Sequence, residues 1–205
     1  MSLQFNVHFI DSTTPDDPKI GELKDWCNRF QALNLTPLYK ERSLGNLSTR
    51  LRSNDDAFII TASALALKEN LTNESFTVVH SYDAAKKTLY ASGPHEPSSE
   101  SILHHAIYRM RKDVNAVFHG HSGKILSCAN DLNLVTTGKF EEYGSPALVK
   151  SVLDILGSES FIIMKDHGFL SLGKTMEEAG TRAVAIFERV QALRMQRTHN
   201  NINIS

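Results

Sequence analysis

Three short apolar runs limit what this chain can fold into: Ala57-Phe58-Ile59-Ile60-Thr61, Val114 to His119, and Phe161 to Met164. They are too short for helices and rich in β-branched and aromatic residues, which marks them as strands. They do not alternate between apolar and polar residues, so both faces of each strand are expected to be covered. Helix-period segments surround them. Ile20, Leu23, Trp26, Cys27 and Phe30 form one stripe, ended by Asn34 and Pro37. Ile102, Ala106, Ile107 and Met110 form a second, on a helix predicted from Ser98 or Ser99 to Arg111. Ser145-Pro146 starts a third and Gly157 ends it. Thr175 and Glu178 have capping-box spacing and open a last helix, which is predicted to run to about Gln196. The alternation of Leu3, Phe5, Val7 and Phe9 predicts a short strand, and a further strand follows the Ser43–Asn46 turn. Phe76 to His80 and Thr88 to Ala91 read as a hairpin pair. The prediction is an α/β fold with a sheet of mixed strand direction packed between helices.

Composition narrows the function classes. The chain has 205 residues and a net charge of −1, so one domain over 1–205 is expected, with residues 197–205 as a flexible tail. A chain of this size buries about 70% of its unfolded surface and needs no metal or disulfide merely to fold. Its near-neutral charge speaks against a general nucleic-acid binder. No apolar run is long enough to span a bilayer, and residues 1–20 lack the apolar block of a signal peptide. With two cysteines, Cys27 and Cys128, and no CxxC pair, a reducing cytoplasmic setting is the expectation.

Nine histidines are the unusual feature, and their placement is more informative than their number. In Ala116-Val117-Phe118-His119-Gly120-His121 the two imidazoles stand at i and i+2 of a strand, on one side. The glycine between them is expected to leave the opposite face open. A third, His167, follows the apolar run Ile162-Ile163-Met164. If those two strands lie side by side, three neutral imidazoles converge with positions left open, the arrangement of a catalytic metal site. Neutral ligands leave the cation's charge undiminished for Lewis-acid work. Histidine at a strand end also serves for hydrogen bonding alone. Pro97-Ser98-Ser99-Glu100 sets a carboxylate at a helix start. It is either a favourable partner for the helix dipole or a general base near the metal. Gly45-Asn46-Leu47-Ser48 is a glycine turn with two short polar residues, able to offer backbone N–H groups to an anion or to serve as a plain turn.

Taken in order, these pieces resemble the class II aldolase/adducin family. The matching segments are Gly45-Asn46-Leu47-Ser48-Thr49-Arg50, Thr61 to Ala64, Pro97 to Glu100, His104 with Tyr108, Asn115 to Ser122, Gly144-Ser145, and His167-Gly168 followed by Gly173 to Ala179. The resemblance implies a three-layer α/β/α fold around a mainly antiparallel sheet. It implies His119, His121 and His167 as metal ligands, Glu100 as the catalytic acid/base, and a divalent cation, zinc first, holding the two oxygens of an enediolate. It assigns phosphate binding to Asn46, Ser63, Ser98 and Ser99 beside the Gly45 turn. It also implies a homotetramer acting on a small hydroxy-carbonyl compound.

The chain departs from the pattern at two places. The phosphate loop, Ser-Gly in the family, reads Ser63-Ala64, and no basic anchor is apparent, so weak phosphate recognition is expected. The family's acidic tyrosine has no clear counterpart, Tyr143 being the nearest. Aldol cleavage of a sugar or sugar phosphate leads among the readings. Dehydration of a keto-sugar phosphate shares the first step. A metal-bound hydrolase and a non-catalytic adducin-like interaction module are the readings from other classes. Such a module has no reason to keep three histidines and the glutamate together.

Overall fold

The computed structural model describes residues 4–68 and 70–202. The strands are β1 (Asn6–Asp11), β2 (Leu38–Tyr39), β3 (Arg42–Ser43), β4 (Asn46–Arg50), β5 (Phe58–Thr61), β6 (Phe76–Asp83), β7 (Thr88–Ser92), β8 (Ala116–Gly120), β9 (Val135–Thr136), β10 (Phe161–Met164) and β11 (Gly168–Gly173). The helices are α1 (Lys19–Ala32), α2 (Ser101–Met110), α3 (Gly123–Ser127), α4 (Pro146–Leu156) and α5 (Met176–Ile202). Nine strands form one sheet in the order β1-β7-β6-β5-β4-β8-β11-β10-β9. Only the outermost pairs, β1 with β7 and β9 with β10, are parallel. The sheet is therefore mainly antiparallel, as expected.

The three layers can be read from residue parity. On β10, Phe161 and Ile163 belong to one core and Ile162 and Met164 to the other. On β8, Ala116 and Phe118 face the first core and Val117 the second. The first core is closed by α1, α3 and α5, the second by α2 and α4. Burial on both faces explains why these strands show no apolar–polar alternation.

Local chemistry places the helices. Ser145 caps α4, its Oγ accepting from Leu148 N–H at 3.0 Å. Thr175 Oγ1 accepts from Glu178 N–H at 3.1 Å, while the Glu178 carboxylate accepts from Lys174 N–H at 2.9 Å, one residue earlier than a strict capping box requires. The C-terminal end of α2 is held by Arg50. That side chain is 1% exposed; its Nε donates to Val114 O at 2.7 Å, and its guanidinium also meets the carbonyls of Tyr108 and Arg111. A buried cation at a helix C-terminus satisfies carbonyls that have no partner within the helix.

Several expectations change. The third apolar run is not a neighbour of β8, because β11 lies between them. The strand Gly168–Gly173 is missing from the pattern because its polar Ser171 is fully buried, with its Oγ donating to Ala179 O at 2.6 Å. The last helix continues to Ile202, and Arg197 on it reaches Asp131 at 2.6 Å. Of the expected tail, residues 197–202 thus lie on α5, since nothing there breaks a helix, and 203–205 fall outside the described residues. Leu3 of the first predicted strand also falls outside them.

Candidate active site

All the candidate site residues lie at one end of the sheet. Because β4 runs antiparallel to β8, its start, Asn46, faces His119 near the end of β8. The start of β11 lies at the same end, with Phe169 opposite Gly120. His167 sits in the tight loop between β10 and β11, behind Asp166 in the left-handed region (φ +55°). The loop after β5 joins the loop before α2 through the Ala62–Pro97 bridge and the Ser63 N–H, which donates to Glu96 O at 2.7 Å. The Ser43 N–H donates to Leu65 O at 2.8 Å and ties in the remaining turn. The segments carrying Gly45, Asn46, Ser63, Ser98, Ser99 and Glu100 are thereby stitched together.

The three histidines converge. One ligand nitrogen from each of His119, His121 and His167 lies within 4.8 Å of the others. His119 is fully buried, and its Nδ1 stands 2.9 Å from Phe169 O. A carbonyl only accepts, so Nδ1 carries a proton there, and Nε2 is the ring nitrogen turned toward the other site residues. Burial, first of all, holds His121 down at about 2 and His167 at about 4, so both are neutral near pH 7.

Glycines make this packing possible. A Cβ on Gly168 would lie 2.7 Å from the His119 ring, and one on Gly45 would lie 2.5 Å from His119 O. Gly120 has a different role from the one expected. The face opposite the imidazoles is not open but filled, since a Cβ at Gly120 would lie 2.4 Å from the Phe169 ring.

Glu100 completes the cluster. It is the N-cap of α2 rather than a first-turn residue, and its side chain caps nothing. Instead Oε2 accepts from Asn46 Nδ2 at 2.9 Å and lies 2.9 Å from His119 Nε2, while Oε1 lies 3.3 Å from His167 Nε2. Burial alone would raise its pKa. Its contact with His119, foremost, outweighs this and holds it well below the usual carboxylate range. Buried atoms left without hydrogen bonds gather here: His119 Nε2, His167 Nδ1, Glu100 Oε1 and Asn46 Oδ1. Such atoms are costly unless something partners them. Neutral imidazoles with an adjacent carboxylate are a donor set that fits a divalent transition metal.

Behind the cluster runs a chain that sequence reasoning saw only as family-like positions. His104 Nδ1 meets Ser48 Oγ at 2.7 Å, and Ser48 Oγ meets Tyr108 OH at 2.8 Å. The signal was the i, i+4 spacing of Glu100, His104 and Tyr108 on one helix face. Tyr143 also reaches the site, with its ring 6.4 Å from that of His167.

Two predictions arise here. Burial holds His104 at about 3 and His105 at about 4, against 6.5 unperturbed. Below pH 6.5 the unfolded chain binds protons that the folded chain refuses, so stability falls with acidification by up to about 1.4 kcal/mol per pH unit per histidine. The urea midpoint should drop steadily from pH 6.5 to pH 4.5; a flat midpoint would contradict this account. Ala64 adopts φ +60°, the conformation that favours glycine. Its Cβ costs about 1–2 kcal/mol there, partly offset by the roughly 0.5–1 kcal/mol of chain entropy a glycine loses on folding. Ala64→Gly should therefore stabilise the chain by about 0.5–1 kcal/mol in urea titrations, where an ordinary Ala→Gly change destabilises.

Comparison with known proteins agrees with this geometry. The model of the class II aldolase and adducin N-terminal domain family matches residues 24–193. The chain belongs to this family. Its resemblance to curated relatives is more distant. It is 27% identical over 162 residues to a 5-methylthioribulose-1-phosphate/5-deoxyribulose-1-phosphate aldolase of Rhodospirillum rubrum, covering 70% of this chain and 67% of that protein. It is 33% identical to a methylthioribulose-1-phosphate dehydratase of Leptospira biflexa, covering 60% of this chain and 56% of the relative. An L-fuculose phosphate aldolase of Methanocaldococcus jannaschii is 32% identical over 47% of this chain and 60% of its own length. The matches to these last two relatives span less than two thirds of their length.

Among solved structures, an L-fuculose 1-phosphate aldolase superposes with TM-score 0.69 at 18% identity, over 92% of this chain and 89% of that one. The L-fuculose-1-phosphate aldolase of Thermus thermophilus does so with TM-score 0.65 at 19% identity, over 88% and 95%. At that identity the likeness concerns the fold. The sheet-and-helix architecture of class II aldolases is thus that of this chain. Among the described residues no helix is long and apolar enough to cross a membrane.

Proposed function

We propose that this chain is a divalent-metal-dependent lyase that cleaves a carbon–carbon bond in a small ketose or ketose phosphate. Glu100 transfers the proton at the carbon beside the carbonyl, and His119, His121 and His167 hold the metal. The observation that carries this reading is the position of the Glu100 carboxylate. It is buried, ionised and within 2.9–3.3 Å of two of the three converging imidazoles, yet it caps no helix. When bound, a divalent cation supplies Lewis-acid polarisation of neighbouring carbonyl and hydroxyl oxygens, zinc being the first choice for imidazole ligands.

The protein's own groups do the rest. The Phe169 carbonyl fixes the His119 tautomer. Asn46 orients one carboxylate oxygen of Glu100 through its amide, leaving the other to act on substrate. The buried floor of His119, Glu100 and Asn46 excludes water from the proton transfer. Ser63, Ser98, Ser99 and the Gly45 turn line the place for the substrate's far end. A homotetramer in the cytoplasm completes the proposal.

Dehydration remains the second reading, because one relative is named as a dehydratase and the initial proton transfer is shared. The test is metal analysis of protein purified without chelator, followed by a screen of small ketose phosphates. Release of an aldehyde supports cleavage, and loss of water without chain shortening supports dehydration. Neither product from metal-loaded protein would overturn the enzyme reading.

A further inference from the structure

The apolar stripe of α2 does only part of what its period predicts. Ile102 and Ile107 are buried in the second core, but Ala106 is half-buried and Met110 is 60% exposed. On α4, Leu148, Val152 and Leu156 seal the same core, while Val149 and Leu153 beside them are only half-buried. Each helix thus carries an apolar i, i+4 row reaching outside the core, 102–106–110 on α2 and 149–153 on α4. These rows and the β6–β7 turn enclose a groove of about 570 Å³, the size of a small-molecule site. Ala106, the small side chain midway along its row, leaves room that a larger residue would fill.

The charges lining this groove have one sign. Lys87 and Arg109 line it, and no carboxylate does. Among the described residues no carboxylate pairs with Lys87. Arg109 has only Asp56, at 3.9 Å, and that carboxylate is also held by Lys112 at 2.5 Å and Arg50 at 3.9 Å. His105 lines the groove as well. It is 5% exposed, its ring packs against Tyr82, and it makes no hydrogen bond among the described residues. Burial keeps it neutral near pH 7, so one of its ring nitrogens carries a proton with no acceptor in the protein. An enclosed polar group left in that state is costly unless a ligand partners it.

We propose that this groove is a binding site for a small carboxylate with an apolar body, its chain along Ala106 and Leu153 and its acid end at Lys87, Arg109 and the His105 N–H. An apolar floor with cations at its rim selects an amphipathic anion and rejects an amphipathic cation. The same rim disfavours a second copy of the chain seated on a two-fold axis. Such a contact sets each patch against itself and would bring Lys87 and Arg109 toward their own counterparts, a like-charge meeting. The groove is separate from the histidine cluster. Glu100, His104 and Tyr108 lie on the other face of α2, where His104 and Tyr108 both meet Ser48 of the sheet. The inference therefore does not rest on the lyase reading.

The test is calorimetric titration of the full chain with octanoate and with 1-octanol, which has the same chain length and no charge. Wild type should bind about one octanoate per chain, and bind it more tightly than octanol. Lys87→Gln/Arg109→Gln changes two exposed side chains and should weaken octanoate by at least about tenfold while leaving octanol unchanged. Ala106→Trp should fill the groove and remove both ligands; should that variant fail to fold, the rim variant still decides. The His119→Ala/His121→Ala variant should bind octanoate as wild type does. Loss of binding there would put the carboxylate on the histidine cluster and overturn the proposal. So would a wild type that binds no octanoate at millimolar concentration, or equal octanoate affinity in the rim variant. An oligomer seen by light scattering that Ala106→Trp dissociates, with no octanoate bound by wild type, would make the groove an interface between copies and also overturn it. Turnover enters none of these readouts, so the lyase reading stands or falls apart from them.

Discussion

Glu100→Gln is expected to lower turnover by about 10²–10⁴-fold while leaving metal content and melting temperature near those of the wild type. Glutamine has nearly the same shape and can still place a carbonyl oxygen on the Asn46 amide, preserving the 2.9 Å contact. It cannot take up a proton at the reacting carbon. The competing account treats Glu100 as a carboxylate that steadies the α2 N-terminus. Its worth would then be roughly 0.3–1 kcal/mol of stability, with a near-normal rate. The structure already weakens that account, since the side chain makes no capping bond and turns toward His119 and His167. Steady-state kinetics on matched metal-loaded samples separate the two. A kcat within a few-fold of wild type would remove Glu100 from the chemistry.

The helices and buried strands were legible because each follows from a local rule. Ile20 to Phe30 carries the 3.6-residue period, Ser145-Pro146 the cap, and Phe161 to Met164 the uninterrupted apolar run of a strand covered twice. The site residues were legible because His119 and His121 sit two apart on one strand. What the sequence could not carry was non-local. Placing His167 beside β8 needs β11, whose Ser171 hides its hydroxyl in a side chain-to-backbone bond to Ala179 and so resembles a loop residue. The β2–β3 hairpin escaped notice because its turn residues, Lys40 and Glu41, both adopt positive φ although neither is a type that favours it. Nothing in the sequence singles out Lys68, because no pattern in one chain tells a solvated ammonium from one enclosed by Ser43, Leu44 and Gln31. Burial of that kind is set by the meeting of α1, the 43–46 turn and the loop after β5.

The His119→Ala/His121→Ala double variant should lose both the metal and the activity and still fold. Replacing an outer-shell partner of a metal ligand commonly costs 10–100-fold in affinity, so removing two direct ligands should cost far more. Wild type purified without chelator should hold about one divalent ion per chain, as expected for a three-histidine site. The double variant should hold less than about a tenth of that, as measured by mass spectrometry, with turnover at background. Folding should survive because the metal is not what closes either core. Phe118, Phe169 and Trp26 on one face, and Val117, Leu170 and Ile107 on the other, are buried independently of the cluster. For the same reason, chelation of the wild type should leave a cooperative melt. If the histidines were merely hydrogen-bonding strand ends, the double variant would keep whatever metal the wild type has and lose only stability, through the severed His119–Phe169 contact and the cavity left by the fully buried His119 ring. Stoichiometric metal in the double variant would therefore place the cation elsewhere and take the lyase mechanism with it.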